Sequence, residues 1–379
     1  MPGMPEAAPR LRVALDGTPL LGHRTGIGVA TAGMMGALAA RSDVAVSSYA
    51  VSVRQRSDLA TQVPAGVSIE QRPMAARPLM AAWARSSHPR IERFIGPHDV
   101  VHGTNFVVPP SRRARRVVSV WDLTFARFPE LCEPAVLRFE RLVARALKTG
   151  AVVHVASNAI ADEVREHFGA RRDQVAVVHL GVPALAPPDL EGAERVLGGS
   201  RRYILSIGTA EPRKDLPSLV GAFDSLAAED PELELVLVGP PGWGQAALEA
   251  AIDRSAAPER IRRPGFVSDG VLASLLRGAR ALAYPSLYEG FGFPPLQAMA
   301  AGVPVVTTRA GSIGEIVGGA ALVVAPGDVD DLASALAVAV YDEAQRSVLI
   351  TAGATRATDF TWDKTASGLM ALYRRLLGN

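Results

Sequence analysis

Residues 284–300 read YPSLYEGFGFPPLQAMA, passing from a short apolar strand through a glycine-rich turn into a helix. Proline suits the first turn of a helix, where its missing N–H would have no partner. Gly290 and Gly292 let backbone N–H groups approach an anion closely. Beside such a turn, the Glu289 carboxylate is useful only if it meets hydroxyls or developing positive charge, as on a sugar ring. The alternative is a helix-capping acid in a tight turn.

A second loop of the same kind lies upstream. Residues 206–214 read SIGTAEPRK and stand between a predicted strand and a predicted helix. Arg213 and Lys214 are adjacent cations beside a helix N-terminus, an arrangement that suits a diphosphate. The chain has only three lysines, and Lys214 is one of them. The alternative is a solvated pair of surface cations.

Outward from these loops, strands and helices alternate along the chain, which predicts parallel sheets with helices on both faces. The predicted strands are 11–16, 44–49, 100–102, 117–120, 151–155 and 175–178, then 203–207, 233–238, 281–284, 303–306 and 321–324. We therefore expect an α/β protein of two doubly wound domains, 1–187 and 188–360, with ligands in the cleft between them. The predicted helices between strands include 78–95 and 133–149, and an amphipathic helix, 361–377, lies in the last segment, 361–379.

Charge is distributed unevenly along the 379 residues. The net charge of +2 gives no case for a nucleic-acid partner, but residues 1–187 carry +8 and the remainder −6. The run RRARR at 112–116 is typical of a solvated turn. The more specific hypothesis is that this run forms a patch that binds an anionic acceptor or an anionic membrane. Trp83 would then be an interfacial anchor; the alternative is that Trp83 lies in the core.

Several classes of protein are disfavoured. Cys132 is the single cysteine, so a reducing, cytoplasmic location is expected. Residues 1–10 lack the pattern of a signal peptide, and no apolar run is long enough to span a membrane. The seven histidines show no metal-ligand spacing, and Asp328 and Asp330 are expected to cap a helix. We therefore expect no metal.

Taken together, these motifs resemble the retaining glycosyltransferases of family 4, which have the GT-B fold, and most closely their mannosyltransferase-like branch. The resemblance covers nearly the whole chain. Besides the two loops, it rests on RTGIG at 24–28, VHGTNF at 101–106, DLTF at 122–125, GFVS at 265–268 and the pair Gly311-Ser312 with Glu315.

The resemblance implies a role for each matching residue. Arg213 and Lys214 would bind the donor diphosphate, and Glu289 would contact the donor sugar and act in catalysis. The other implied donor contacts are Phe266 and Val267 at the nucleobase, and Gly290, Phe291 and Gly292 at the phosphate and sugar. The glycine loop with Gly26, Ile27 and Gly28 would face the donor phosphate and the acceptor. We expect the acceptor to enter near Asn105, Asp122 and His102, and we take Asp122 and His102 as further catalytic candidates. The final helix would cross back onto the first domain.

Two positions depart from the family pattern. Gln297 replaces the second signature glutamate, which bonds the ribose; an amide still offers an acceptor oxygen. Trp121 replaces a histidine that reaches the donor sugar, and an indole stacks but performs no proton chemistry. His102, at the end of a neighbouring predicted strand, is the candidate to supply an imidazole instead.

The expected activity is a metal-independent, retaining transfer of a mannose-like hexose from a nucleotide sugar to a glycan, lipid or small-molecule acceptor. No cofactor and no nucleic-acid partner are expected, and contact with an anionic membrane would be peripheral. Two alternatives stay open. One is a pseudo-enzyme that binds a sugar nucleotide without transfer, suggested by Gln297 and Trp121; the other is a further GT-B activity such as an epimerase.

Overall fold

The computed structural model describes residues 10–22, 25–132, 134 and 136–378. Most of the N-terminal stretch, together with Arg24 of the glycine loop and Glu133, where a helix was predicted to begin, lies outside the described residues. The chain divides into two compact units, Met1–Gly181 with Thr361–Asn379, and Val182–Phe360. The second unit thus begins at Val182, ahead of the boundary expected after residue 187.

The first unit is built on a parallel sheet of seven strands in the order β3-β2-β1-β4-β5-β6-β7. Its strands are β1 Leu11–Asp16, β2 Val44–Tyr49, β3 Ser68–Glu70, β4 Val100–Gly103, β5 Arg115–Ser119, β6 Val152–Val155 and β7 Val175–Val177. The sheet is buried on both faces, as parallel sheets are, and Val13, Ala14 and Leu15 of β1 are fully enclosed.

The helices of this unit connect successive strands. They are α1 Gly26–Ala39, α2 Leu59–Gln62, α3 Ala76–Trp83, α4 Glu92–Ile95, α5 Thr124–Arg127, α6 Phe139–Lys148 and α7 Asn158–Phe168. The single helix predicted over 78–95 was wrong. It is replaced by α3 and α4, because Pro89 lacks an N–H and disfavours helical backbone at the residue before it.

The second unit repeats the architecture with a six-stranded parallel sheet in the order β10-β9-β8-β11-β12-β13. The strands are β8 Tyr203–Ile207, β9 Glu234–Val238, β10 Ile261–Gly265, β11 Ala281–Tyr284, β12 Val305–Thr308 and β13 Leu322–Val324. The helices are α8 Leu190–Leu197, α9 Leu216–Glu229, α10 Gln245–Arg254, α11 Asp269–Gly278, α12 Phe293–Ala300, α13 Ile313–Val317, α14 Val329–Tyr341 and α15 Glu343–Ala357.

Helix capping follows the sequence-based expectation at Asp328. Its Oδ1 accepts the backbone N–H of Asp331 at 2.9 Å and so caps the N-terminus of α14. A side-chain oxygen in this position satisfies one of the helix's unpaired N–H groups. The capping interpretation of the Asp328–Asp330 pattern is confirmed.

The last helix, α16 (Trp362–Leu377), packs on the first unit. A Cβ at Gly33 of α1 would lie 2.1 Å from the Trp362 ring, so only glycine allows this close approach. Thr365 donates to the carbonyl of His179 at 2.9 Å, and the fully buried Tyr373 shares a 2.7 Å hydrogen bond with His102 Nδ1. Both contacts fasten the helix to the sheet of the first unit.

Candidate active site

The two loops that the sequence singled out meet in the second unit. β8 and β11 are neighbours, and the strand order reverses between them, since β9 lies on the other side of β8. In doubly wound sheets, ligands bind outside the carboxyl ends of the strands at such a reversal. The loop carrying Arg213 and Lys214 follows β8, and the loop carrying Glu289 follows β11.

Lys214 is buried and held by two side chains. Its ammonium lies 2.5 Å from Glu289 Oε1 and donates to the Tyr284 hydroxyl at 2.6 Å. Burial lowers the pKa of Lys214, and the negative charge of Glu289 opposes that effect. The alternative of a solvated surface cation is therefore wrong for this residue, which is only 9% exposed.

Arg213 approaches the same carboxylate from a different direction. Its guanidinium lies 2.9 Å from Glu289 Oε1 and also forms a 2.7 Å ion pair with Glu211. A further hydrogen bond, 3.2 Å long, runs to the carbonyl oxygen of Tyr288. Because several partners define its position, the guanidinium is held in one place beside the Glu289 carboxylate.

Glu289 carries its negative charge although it is buried. Burial by itself raises the pKa of this carboxyl group, but the charges of Arg213 and Lys214 outweigh that effect and lower the pKa to about 2. The carboxylate is therefore ionised throughout the physiological range. A base this weak accepts a proton poorly near neutral pH, so Glu289 is suited to electrostatic rather than proton-transfer chemistry.

Glycine conformations shape the backbone around Glu289. Gly292 has a φ of +100° and precedes α12, and Gly311 has a φ of +55°. A Cβ on Gly311 would come within 2.3 Å of the carbonyl oxygen of Glu289. That oxygen accepts hydrogen bonds from the N–H of Ser312 at 2.9 Å and from its hydroxyl at 3.0 Å. The backbone position of Glu289 is thus fixed by close packing and hydrogen bonds.

The remaining predicted donor contacts lie around these loops. Gly290, Phe291 and Gly292 are buried in the turn, and Gln297 is half-buried on α12. A cavity of about 220 Å³ lies at the ends of β8, β9 and β10, lined by residues that include Gly208, Leu216, Gly239, Gln245, Arg263 and Gly265. Next to it, Phe266 is 62% exposed and Val267 is half-buried.

The predicted acceptor-side residues lie in the first unit. Gly26, Ile27 and Gly28 form the first turn of α1 rather than a separate loop, and Gly26 is exposed. Asn105 follows β4, where its Oδ1 is buried without a hydrogen-bond partner among the described residues. Asp122 follows β5 and accepts the N–H of Thr124 at 3.0 Å.

Trp121 and His102 do not present polar groups to a ligand in this structure. The Trp121 indole donates to the carbonyl of Thr104 at 2.9 Å, and its side chain is 7% exposed. His102 is fully buried, with one ring nitrogen on Tyr373 and the other on Ser119 at 2.8 Å. Burial holds its pKa well below the usual value. The expectation that His102 supplies a catalytic imidazole is corrected here, because both of its nitrogens are engaged inside the unit.

Two residues that position the site's cations were not identified by the sequence analysis. Tyr284 holds Lys214, and Glu211 holds Arg213. The position of Tyr284 as the last residue of the buried strand β11 was the available signal, because side chains at strand ends reach ligands in this class of sheet. Among the described residues, no group of three or more His, Cys, Asp or Glu is arranged to hold a metal ion. No helix within that part of the chain is long and apolar enough to cross a bilayer.

Comparison with known proteins identifies the family of the chain. The family described as "Glycosyl transferases group 1" matches residues 193–356, and the "Glycosyl transferase 4-like domain" matches residues 25–181. The O-antigen chain mannosyltransferase B of Escherichia coli is 30% identical over 79% of this chain and 81% of that protein. The MMP alpha-(1->4)-mannosyltransferase of Mycolicibacterium hassiacum is 34% identical over 58% of this chain and 53% of its own length. The chain therefore belongs to glycosyltransferase family 4, in its mannosyltransferase-like branch.

Solved structures support the same fold. Sucrose-phosphate synthase from Thermosynechococcus elongatus superposes with a TM-score of 0.76 at 19% identity, covering 97% of this chain and 100% of that one. HepE of Anabaena, in complex with UDP and glucose, gives a TM-score of 0.70 at 19% identity over 97% and 99% of the two chains. The predicted GT-B fold is confirmed.

Proposed function

We propose that this glycosyltransferase moves a hexose, with mannose as the leading candidate, from a nucleoside-diphosphate sugar to a hydroxyl of a glycan, lipid or small-molecule acceptor. We further propose that the anomeric configuration is retained and that no metal takes part. The observation that carries the proposal is the ion-paired group of buried Lys214, buried Glu289 and half-buried Arg213 at the strand reversal of the second unit. The names of the mannosyltransferase relatives support the choice of sugar.

The charges of this group match the charges of the reaction. As the bond between the anomeric carbon and the diphosphate breaks, negative charge grows on the leaving group and positive charge grows on the sugar ring. The cations Arg213 and Lys214 stabilise the negative charge on the leaving diphosphate, and they supply the neutralisation for which a bound metal would otherwise be needed. The Glu289 carboxylate stabilises the positive charge on the sugar ring and can accept hydrogen bonds from sugar hydroxyls.

The cavity at the ends of β8, β9 and β10 is the proposed binding site for the nucleoside. It adjoins the lysine, since a Cβ on Gly208 of its lining would lie 3.2 Å from Lys214 Cε. The exposed ring of Phe266 offers a stacking surface for a base. In this arrangement the base, the diphosphate and the sugar follow one another from the cavity to Glu289.

The direct test is a panel of nucleotide sugars screened by thermal shift, followed by assays of nucleoside diphosphate release with and without acceptors. A bound donor raises the melting temperature by mass action. Turnover with a donor that also stabilises the protein supports transfer. Stabilisation without turnover over a broad acceptor set favours the pseudo-enzyme, and no stabilisation by any nucleotide sugar contradicts the proposal.

We also propose that the first unit meets an anionic surface through the arginine turn Arg112, Arg113 and Arg115, whose side chains are exposed. Glu92 fixes this turn, because its Oε1 accepts the N–H of Arg112 at 2.7 Å and the hydroxyl of Ser111 at 2.6 Å. Trp83 takes no part in the surface. It is 3% exposed and donates to the carbonyl of Pro89 at 2.9 Å, so the core interpretation holds.

A further inference from the structure

The first unit has a strand reversal of its own, and it is lined by polar side chains that have no assigned role. The order of its sheet reverses at β1, which lies between β2 and β4. Asp16 is the last residue of β1 and Tyr49 is the last residue of β2. The two are register partners in neighbouring parallel strands, so their side chains leave the same face of the sheet.

The Asp16 carboxyl group accepts hydrogen bonds from the described residues through only one of its two oxygens, Oδ1. Its Oδ1 accepts the N–H of Thr18 at 2.8 Å and the Thr18 hydroxyl at 2.5 Å, and Thr18 Oγ1 in turn accepts the N–H of Val51 at 2.9 Å. The Asp16 carbonyl accepts the Thr104 hydroxyl at 2.6 Å, which ties β1 to the end of β4. No hydrogen bond to Oδ2 occurs among the described residues. The carboxyl group is therefore fixed in position while half of its accepting capacity stays available.

Tyr49 has a fully buried side chain whose hydroxyl has no hydrogen-bond partner in the described part of the chain. A buried polar group without a partner is costly, so native proteins rarely leave one unless a ligand or water completes it. Burial raises the pKa of Tyr49, and the nearby charge of Asp16 raises it further. Burial also raises the pKa of Asp16 to about 6. Both groups are thus polar, desolvated and close to each other.

We propose that Asp16 and Tyr49 form a subsite that binds the hydroxyl groups of the acceptor sugar. The carboxylate accepts hydrogen bonds from sugar hydroxyls, while the phenol both donates and accepts. The subsite lies at the carboxyl edge of the sheet where doubly wound folds bind ligands. This inference rests on the proposed transferase function, because it assigns the saccharide acceptor to the first unit.

One arm of the test concerns stability alone. Tyr203 offers a matched control, because it is a buried tyrosine at the start of β8 whose hydroxyl donates to the carbonyl of Leu275 at 2.7 Å. We expect Tyr203→Phe to lower the melting temperature and Tyr49→Phe to leave it unchanged or to raise it. A fall after Tyr49→Phe as large as that after Tyr203→Phe would overturn the proposal, since the hydroxyl would then have a structural partner.

The second arm measures saccharide binding by saturation-transfer NMR, with methyl α-D-mannopyranoside as the probe and the whole chain as the protein. Asp16→Asn keeps the oxygen that Thr18 contacts and changes only the second one, so it is the sharpest variant. We expect the probe signal with wild type and Tyr203→Phe, and its loss with Asp16→Asn and Tyr49→Phe. No signal with wild type, or equal signals in all four proteins, would overturn the subsite.

The third arm separates this inference from the proposed function. With an active donor, the rate of donor hydrolysis by water is compared with the rate of transfer to the same probe. We expect Asp16→Asn and Tyr49→Phe to raise the acceptor KM at least tenfold while hydrolysis stays within twofold of wild type. A parallel loss of both reactions would overturn the subsite. If wild type releases no nucleoside diphosphate from any donor, the proposed function fails and the NMR arm still decides the subsite.

Discussion

The ammonium of Lys214 lies 2.5 Å from Glu289 Oε1, although 75 residues separate the two in the chain. The glutamate thus neutralises the two cations that we propose bind the donor diphosphate. A donor that brings two or more negative charges competes for the same ammonium and guanidinium groups. In the proposed donor site, the ion pair would therefore couple the stability of the second unit to donor binding.

Replacing Lys214 by alanine should weaken donor binding at least a hundredfold. The variant loses a buried cation at the diphosphate position and leaves Glu289 with Arg213 as its ion-pair partner. Isothermal titration with the stabilising nucleotide sugar measures the effect. Lys148→Ala is the matched control, because Lys148 is an exposed lysine at the end of α6 and should bind donor like wild type. Equal affinity in the two variants would exclude Lys214 from the donor site.

Replacing Glu289 by glutamine should abolish transfer while donor binding survives. The amide keeps an acceptor oxygen for sugar hydroxyls but cannot oppose positive charge on the ring. Without the carboxylate, the buried Lys214 ammonium loses its counter-charge, although Arg213 keeps its ion pair with Glu211, and the free energy of unfolding should fall by about 3 kcal/mol. Steady-state kinetics and denaturant unfolding, each with and without donor, test both effects. A variant with wild-type kcat would remove the proposed electrostatic role.

Replacing Gln297 by glutamate should tighten donor binding by a factor of about three to ten. A carboxylate accepts two ribose hydroxyls through ionised oxygens, and such hydrogen bonds are stronger than those of a neutral amide. The residue is half-buried on α12, close in sequence to the glycine turn. Competition titration with the free nucleoside diphosphate reports the change. An unchanged dissociation constant would show that the ribose is bound elsewhere.

The substitution Asp16→Asn should stabilise the protein at pH 8 more than at pH 4. Burial raises the pKa of Asp16 in the folded state to about 6, against about 4 for an unfolded chain. A raised pKa means that the folded state binds the proton more tightly, so the stability that this proton contributes is present below pH 4. It is lost as the pH rises through 6, and the loss is about 3 kcal/mol at most.

Scanning calorimetry of wild type and Asp16→Asn at pH 4 and pH 8 tests this expectation. Asparagine does not titrate, so the melting temperature of the variant should exceed that of wild type at pH 8 and match it at pH 4. An equal difference at both values would show that the carboxyl group has an ordinary pKa. Because the chain has two units, the transition of the first unit is the one to compare.

Charge reversal at the arginine turn should reduce binding to anionic vesicles. We expect wild type to sediment with phosphatidylglycerol vesicles more than with phosphatidylcholine vesicles, and less at high salt, because screening weakens attraction between exposed charges. Arg112→Glu with Arg113→Glu should remove most of this preference. Arg195→Glu with Arg201→Glu, exposed arginines of the second unit, is the matched control. Equal wild-type binding to both kinds of vesicle would contradict the membrane proposal.

Sequence patterns were sufficient for the interior strands but for only two of the four edge strands. Interior parallel strands such as β8 and β11 are buried on both faces and appear as apolar runs. The edge strands β7 and β13 are short apolar runs and were predicted. The edge strands β10, with the sequence IRRPG, and β3, with the sequence SIE, contain charged residues and were not predicted. An edge strand tolerates proline and charge because one side of it has no pairing partner to satisfy.

Some features of the candidate site could also be predicted from sequence, and others could not. Local chemistry marked Arg213, Lys214 and Glu289, since adjacent cations and a glycine-flanked acid are visible in a few consecutive residues. The burial and the hydrogen bonds of His102 could not be predicted from the neighbouring sequence. Its ring lies between Tyr373 and Ser119, and these partners come from α16 and β5, far apart in the chain. Burial and hydrogen-bond saturation depend on which segments pack around a residue, so no short motif predicts them.

For this protein, the sequence by itself determined the alternation of strands and helices, the family and the side chains that hold the proposed diphosphate. These are consequences of local periodicity and of residues close together along the chain. Only the tertiary structure decided that Lys214 pairs with Glu289, that His102 is enclosed, and that Asp16 and Tyr49 share one face. Such relationships arise where distant strands become neighbours, because strand order is fixed by packing of the whole sheet rather than by local sequence.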